Sequence, residues 1–124
     1  MNEITFIGPE MALEHAAFQI FKHINYNIGI MLPRYNMLVD VSHEAGKNVK
    51  AIGDNCISRQ TRDVIELHNG SKIIFCTQKQ KSIRGIRFDM FFTMYEPISH
   101  QMRLDLIPSL CGNPNNILYT VLDR

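Results

Sequence analysis

Gly8 closes a short apolar segment, Ile4-Thr5-Phe6-Ile7, and leads into Pro9-Glu10-Met11-Ala12-Leu13-Glu14-His15. A strand, a glycine and a helix in that order form the frame of a phosphate-binding loop, G-x-x-x-x-G-K-[ST]. In such a loop the second glycine lets backbone N–H groups close on the phosphates, the lysine neutralises them and the hydroxyl holds magnesium. Counted from Gly8, those three positions are Leu13, Glu14 and His15. A carboxylate where the lysine belongs repels a triphosphate, since two unit charges about 4 Å apart near a protein surface interact by about 4 kcal/mol. The frame is that of a nucleotide site, but the residues that would do its chemistry are replaced.

No other chemistry-bearing group has a comparable spacing. Cys56, Cys76 and Cys111 are odd in number and far apart, which suits reduced structural thiols better than a disulfide framework. The histidines at 15, 23, 43, 68 and 100 show no metal-ligand spacing with them, so no metal and no cofactor are expected. Basic residues are concentrated: Lys47, Lys50, Arg59, Arg62, Lys72, Lys79, Lys81, Arg84 and Arg87 stand against Asp54, Asp63 and Glu66 in residues 47–87. That region carries a net +6, which leaves −5 for the rest of a chain whose total is +1. Such asymmetry marks a polyanion-binding face, a protein interface or a solvated surface. Few aromatics are interleaved with the cations, which gives stacking on single-stranded bases little support.

The elements that must position these groups are legible from periodicity. With 124 residues and 45% hydrophobic content the chain suits one domain, 1–124. No apolar run approaches the ~20 residues of a spanning helix, and the start lacks a signal-peptide pattern, so a cytoplasmic protein is expected. Residues 3–7 read as a strand, Met11 to Ile24 as a helix apolar enough to be largely buried, and Ile28 to Leu32 as a strand covered on both faces. Tyr35 to about Lys50 reads as a helix with Leu38, Val41 and Ala45 on one side, and residues 51–62 as a loop. Asp63 to Leu67 and Lys72 to Cys76 flank Asn69-Gly70 as a hairpin. Asp89 to Met94 is a second apolar strand, Pro97 to about Leu110 a helix, and Ile117 to Leu122 a last strand. The order predicts an α/β fold: a mainly parallel sheet with helices on both faces and one edge hairpin.

Taken together, Ile65-Glu66-Leu67-His68-Asn69-Gly70-Ser71-Lys72-Ile73-Ile74-Phe75, Ser82-Ile83-Arg84-Gly85, Phe88 through Glu96, and the helix ending Leu106-Ile107-Pro108-Ser109-Leu110 resemble the ATPase core of viral large terminase subunits, the motors that package DNA into capsids. The order and spacing of these pieces carry the resemblance, which covers nearly the whole chain. It implies a P-loop NTPase-like fold. It also implies that Tyr95 stands where the Walker B aspartate would hold magnesium, that Glu96 keeps the place of the water-polarising glutamate, and that Thr120 falls at the coupling motif. Arg84 matches the family's R-G motif, and the nuclease domain that usually follows is not in this sequence. An unrelated small α/β domain is the alternative, with Glu96 an ordinary strand-end carboxylate and Arg84 a surface cation.

Loss at Leu13, Glu14, His15 and Tyr95 together, with the apolar strands intact, points to a scaffold without catalysis. The expectation is a non-catalytic viral or mobile-element protein that acts by binding a protein partner or itself, with Arg84 and Arg87 as contact residues. A sequence-independent nucleic-acid-binding module using Lys47, Lys50, Arg59, Arg62, Lys79 and Lys81 is the alternative. A cryptic NTPase using Glu96 and Arg84 is the third reading.

Overall fold

The computed structural model describes residues 2–77, 86–95, 99–101, 104 and 117–122. Along the chain these form β1 (Asn2–Ile7), α1 (Pro9–Lys22), β2 (Asn27–Leu32), α2 (Met37–Ile52), β3 (Ile57–Gln60), β4 (Val64–Leu67), β5 (Lys72–Thr77), β6 (Met90–Met94) and β7 (Ile117–Leu122). The strands make one sheet in the order β1-β7-β6-β2-β5-β4-β3. The first five in that order run parallel, and β4 and β3 complete the sheet antiparallel. This is the expected mainly parallel α/β architecture.

β2 sits between β5 and β6, and its sequence explains why. Ile28, Ile30 and Leu32 face the main core, while Met31 belongs to a second cluster with Cys76, Phe88 and Phe91 on the other face. A strand covered on both sides needs apolar residues at both parities. Gly29 is small because a methyl group there would collide with the ring of Phe91 and lie 2.9 Å from that of Phe88.

The main core fills the space between the sheet and both helices. α1 contributes Ala12, Leu13, Ala16, Ala17 and Ile20, and α2 contributes Leu38, Val41, Ala45 and Val49. The alanines let α1 sit close to the strands. Met11 and Phe18, however, are 54% and 55% exposed, so α1 is less fully covered than its composition predicts. Among the described residues both helices share one face. The helix expected at 97–110 lies largely outside them.

The hairpin forms, with a three-residue loop. Gly70 N–H donates to Leu67 O and Leu67 N–H to Ser71 O, with Gly70 at φ 87. This turn also caps a distant helix. Asn69 Nδ2 donates to the carbonyls of Ile20 and His23, and Ser71 Oγ donates to His23 O, satisfying carbonyls that the end of α1 leaves open.

One expectation needs correcting. Residues 51–62 are not all loop: α2 continues to Ile52, and β3 pairs with β4 outside the hairpin. Ser58, Arg59 and Gln60 are exposed, and the register shifts between Ile57 and Arg59. An edge strand needs no apolar alternation, so pattern alone does not reveal it.

Candidate functional site

The passage from β1 to α1 takes one residue. Ile7 ends the strand, Gly8 turns at φ 87, and Pro9 already opens the helix. Glycine adopts positive φ without penalty, and proline suits the first helical position because an N–H there would go unbonded. Both features subtract from phosphate chemistry. A phosphate loop presents a run of backbone N–H groups between strand and helix, whereas here the corresponding residues are the first turn of α1 and proline removes one donor.

The three loop positions read from the sequence fall in the second turn of that helix. Leu13 is 5% exposed and part of the main core, and Glu14 is exposed. His15 is half-buried, its ring edge-on to Phe92 at 6.5 Å, and burial pulls its imidazole below the usual histidine range.

Beside this helix start lies a cavity of 370 Å³. α1 supplies Glu10, Leu13 and Glu14 to its wall, α2 supplies Asp40, Glu44 and Asn48, and Tyr95 comes from the end of β6. Glu10, Glu14, Asp40 and Glu44 make it acidic, and among the described residues no basic one lines it. An adjoining cavity of 430 Å³ shares Asp40, Val41 and Tyr95 and adds Arg34. Open α/β sheets hold ligands at the carboxyl ends of their strands, and both β1 and β6 end here. The carboxylates do not converge: among the described residues no three His, Cys, Asp or Glu side chains are grouped as metal ligands.

Tyr95 is half-buried and packs against the main core. Its backbone sits at φ 71, a conformation that costs a non-glycine residue about 1–2 kcal/mol, and its N–H donates to Val121 O at 3.3 Å. Thr120, half-buried on β7, stands in register with Thr93 of β6. The Thr93 hydroxyl is buried with no hydrogen-bond partner among the described residues.

No family model and no curated protein sequence matches this chain. Solved structures do. The large terminase ATPase domain of Thermus phage P74-26 superposes with a TM-score of 0.76 at 13% identity, covering 99% of this chain and 60% of that one. A mutant of the same domain gives 0.74 over the same shares. The large terminase of a thermophilic bacteriophage gives 0.63 at 14% identity, covering 98% of this chain and 32% of that one. The chain has the fold of a large-terminase ATPase domain. It spans less than two thirds of the length of these proteins, and at such low identity the likeness concerns the fold.

On this terminase fold, Leu13, Glu14 and Tyr95 meet at one cavity, although they are far apart in sequence. His15 does not line it. Glu96, Arg84, Lys79 and Lys81 lie outside the described residues. Glu10, Asp40 and Glu44 were not singled out from the sequence. Their signal was available, since Asp40, Glu44 and Asn48 recur every four residues beside the buried stripe Leu38, Val41, Ala45, Val49.

The basic region is spread over several elements. Lys47 pairs with Glu44 at 3.4 Å, and Arg59 and Lys72 share Glu66 at 3.3 and 3.4 Å. Arg62 lies 3.8 Å from Asp63 and stacks its guanidinium 4.5 Å over the Tyr35 ring. Lys50 and Arg87 are exposed. Asp63 and Glu66 are already counted in the net +6 of residues 47–87, so of these acids only Glu44 offsets any of that excess.

Proposed function

We propose that this terminase-fold chain is a non-hydrolysing relative of DNA-packaging motors, which neither binds nor turns over Mg-nucleotide and acts by associating with a protein partner or with itself. One observation supports this reading above the others: the strand-to-helix passage at Gly8-Pro9 leaves no loop to wrap a phosphate, and the crevice beside it is lined by four carboxylates. Substitution alone would make a weaker case. Here the backbone, the charge and the replacements at Glu14 and Tyr95 agree.

In this reading the protein works in the cytoplasm of a host cell. Arg84 and Arg87 contact the adjacent surface, and the domain occupies or blocks a subunit position without firing. The test is a phosphate-release assay at saturating ATP and magnesium, run alone and with proteins captured from infected cells. The reading expects no release above background from the isolated chain. Steady turnover that disappears on Glu96→Gln would favour the cryptic NTPase instead.

A second reading has its own support. Lys47, Lys50, Arg59 and Arg62 are all exposed, and exposed ion pairs are worth at most about 1 kcal/mol, so these cations stay available to phosphates. Sequence-independent nucleic-acid binding would then fall steeply with salt.

A further inference from the structure

The hairpin turn holds a reactive dipeptide. In Asn69-Gly70 the Gly70 backbone nitrogen, once deprotonated, can attack Cγ of Asn69. The Cγ–Nδ2 bond then breaks, ammonia leaves, and water opens the resulting succinimide to aspartate or isoaspartate. Asparagine followed by glycine is the pair most prone to this reaction, because no side chain on the second residue hinders the attack.

In the folded chain the reacting groups are engaged elsewhere. The Gly70 N–H, which must lose its proton, donates to Leu67 O at 3.1 Å. The amide that must leave donates through Nδ2 to Ile20 O at 3.0 Å and to His23 O at 3.1 Å, while Oδ1 accepts from Ser71 N–H at 2.8 Å. The backbone is tied as well, since Asn25 N–H donates to Asn69 O at 3.3 Å. The turn also requires this glycine: Gly70 sits at φ 87, and a methyl there would strike the Asn25 side chain. The residue that the turn needs is the one that makes Asn69 reactive.

We propose that Asn69 is a modification site guarded by the fold, which deamidates when the C-terminal end of α1 lifts from the β4–β5 hairpin. The product cannot rebuild the junction. A carboxylate in place of the amide would set an anion against the carbonyl oxygens of Ile20 and His23 where two donated bonds stood, and isoaspartate would add a carbon to the turn backbone. Ser71 Oγ, which donates to His23 O at 2.8 Å and accepts from Tyr26 N–H at 3.0 Å, still ties this corner. Deamidation thus converts a transient local opening into a permanent loosening of α1.

The experiment holds the purified protein at mildly alkaline pH, folded and in urea, and follows the Asn69 peptide by mass spectrometry and isoaspartate assay. The folded protein is expected to deamidate at least about tenfold more slowly than the unfolded chain, because the reaction waits for opening. Ser71→Ala, which leaves the dipeptide intact and weakens the junction, should speed the reaction in protein that circular dichroism shows is still helical. Asn69→Asp should lower the melting temperature. Equal rates in folded and unfolded chains, or a deamidated protein that melts with the unmodified one, would overturn the proposal. If Ser71→Ala does not fold, the folded and unfolded wild-type rates decide alone.

Discussion

Leu13 and Glu14 share a helical turn but have different jobs, one filling the core and the other facing the acidic cavity. Installing the missing phosphate-loop residues, Leu13→Gly, Glu14→Lys and His15→Ser with Tyr95→Asp, should therefore not restore nucleotide binding. Removing a buried leucine and placing glycine inside a helix should cost about 3–5 kcal/mol, read from urea denaturation. Gly29→Ala is a second residue-scale test: with Phe91 and Phe88 against that position, overpacking should lower stability by about 1–3 kcal/mol. Titration gives a third. Burial pushes the Cys76 thiol up to about 12, so the folded state disfavours its thiolate while the unfolded chain ionises near the ordinary thiol value. The stability tied to the neutral thiol is complete below that ordinary value and is lost as pH rises through it toward 12, by up to about 1.4 kcal/mol per pH unit. Cys76→Ala should flatten that alkaline decline. His15 acts in the opposite direction: its lowered pKa makes stability fall as pH drops through the histidine range, and His15→Phe should remove that acid limb.

Elements were legible where burial imposes a period. β2 announced itself as a continuous apolar run because both of its faces are covered, and the β4–β5 hairpin through Asn69-Gly70. β3 did not, because its residues face solvent and its place is set by pairing with β4. The frame at Gly8 was visible, and so was the juncture of strand and helix. The length of that juncture was not, because Pro9 is equally at home in a loop or at a helix start. Two of the cavity's four acids, Asp40 and Glu44, come from α2, whose packing beside α1 no local pattern reveals. The basic surface also belongs to this scale, since its cations sit on α2, β3 and the β3–β4 connection. If it binds nucleic acid, affinity should be independent of sequence and should drop steeply between about 50 and 200 mM salt. Charge reversal at Arg59, Arg62, Lys79 and Lys81 should abolish it in a filter-binding assay. No binding even at low salt would assign these cations to an acidic protein surface instead.

For the whole molecule, the fold is that of a large-terminase ATPase domain, while the crevice at its strand ends is lined by four carboxylates, which repel a nucleotide's phosphates. In the proposed reading such a scaffold acts by association, for which closed homo-oligomers are the commonest form. Arg84→Ala with Arg87→Ala should weaken self-association or partner capture in light scattering and pull-down experiments, while the circular dichroism spectrum stays unchanged. A strictly monomeric protein that captures no partner would count against association without touching the question of nucleotide. That question has its own direct measurement, calorimetric titration of the isolated chain with ATP at millimolar magnesium. The account predicts no binding heat up to millimolar nucleotide. A saturable isotherm with a micromolar Kd would contradict it.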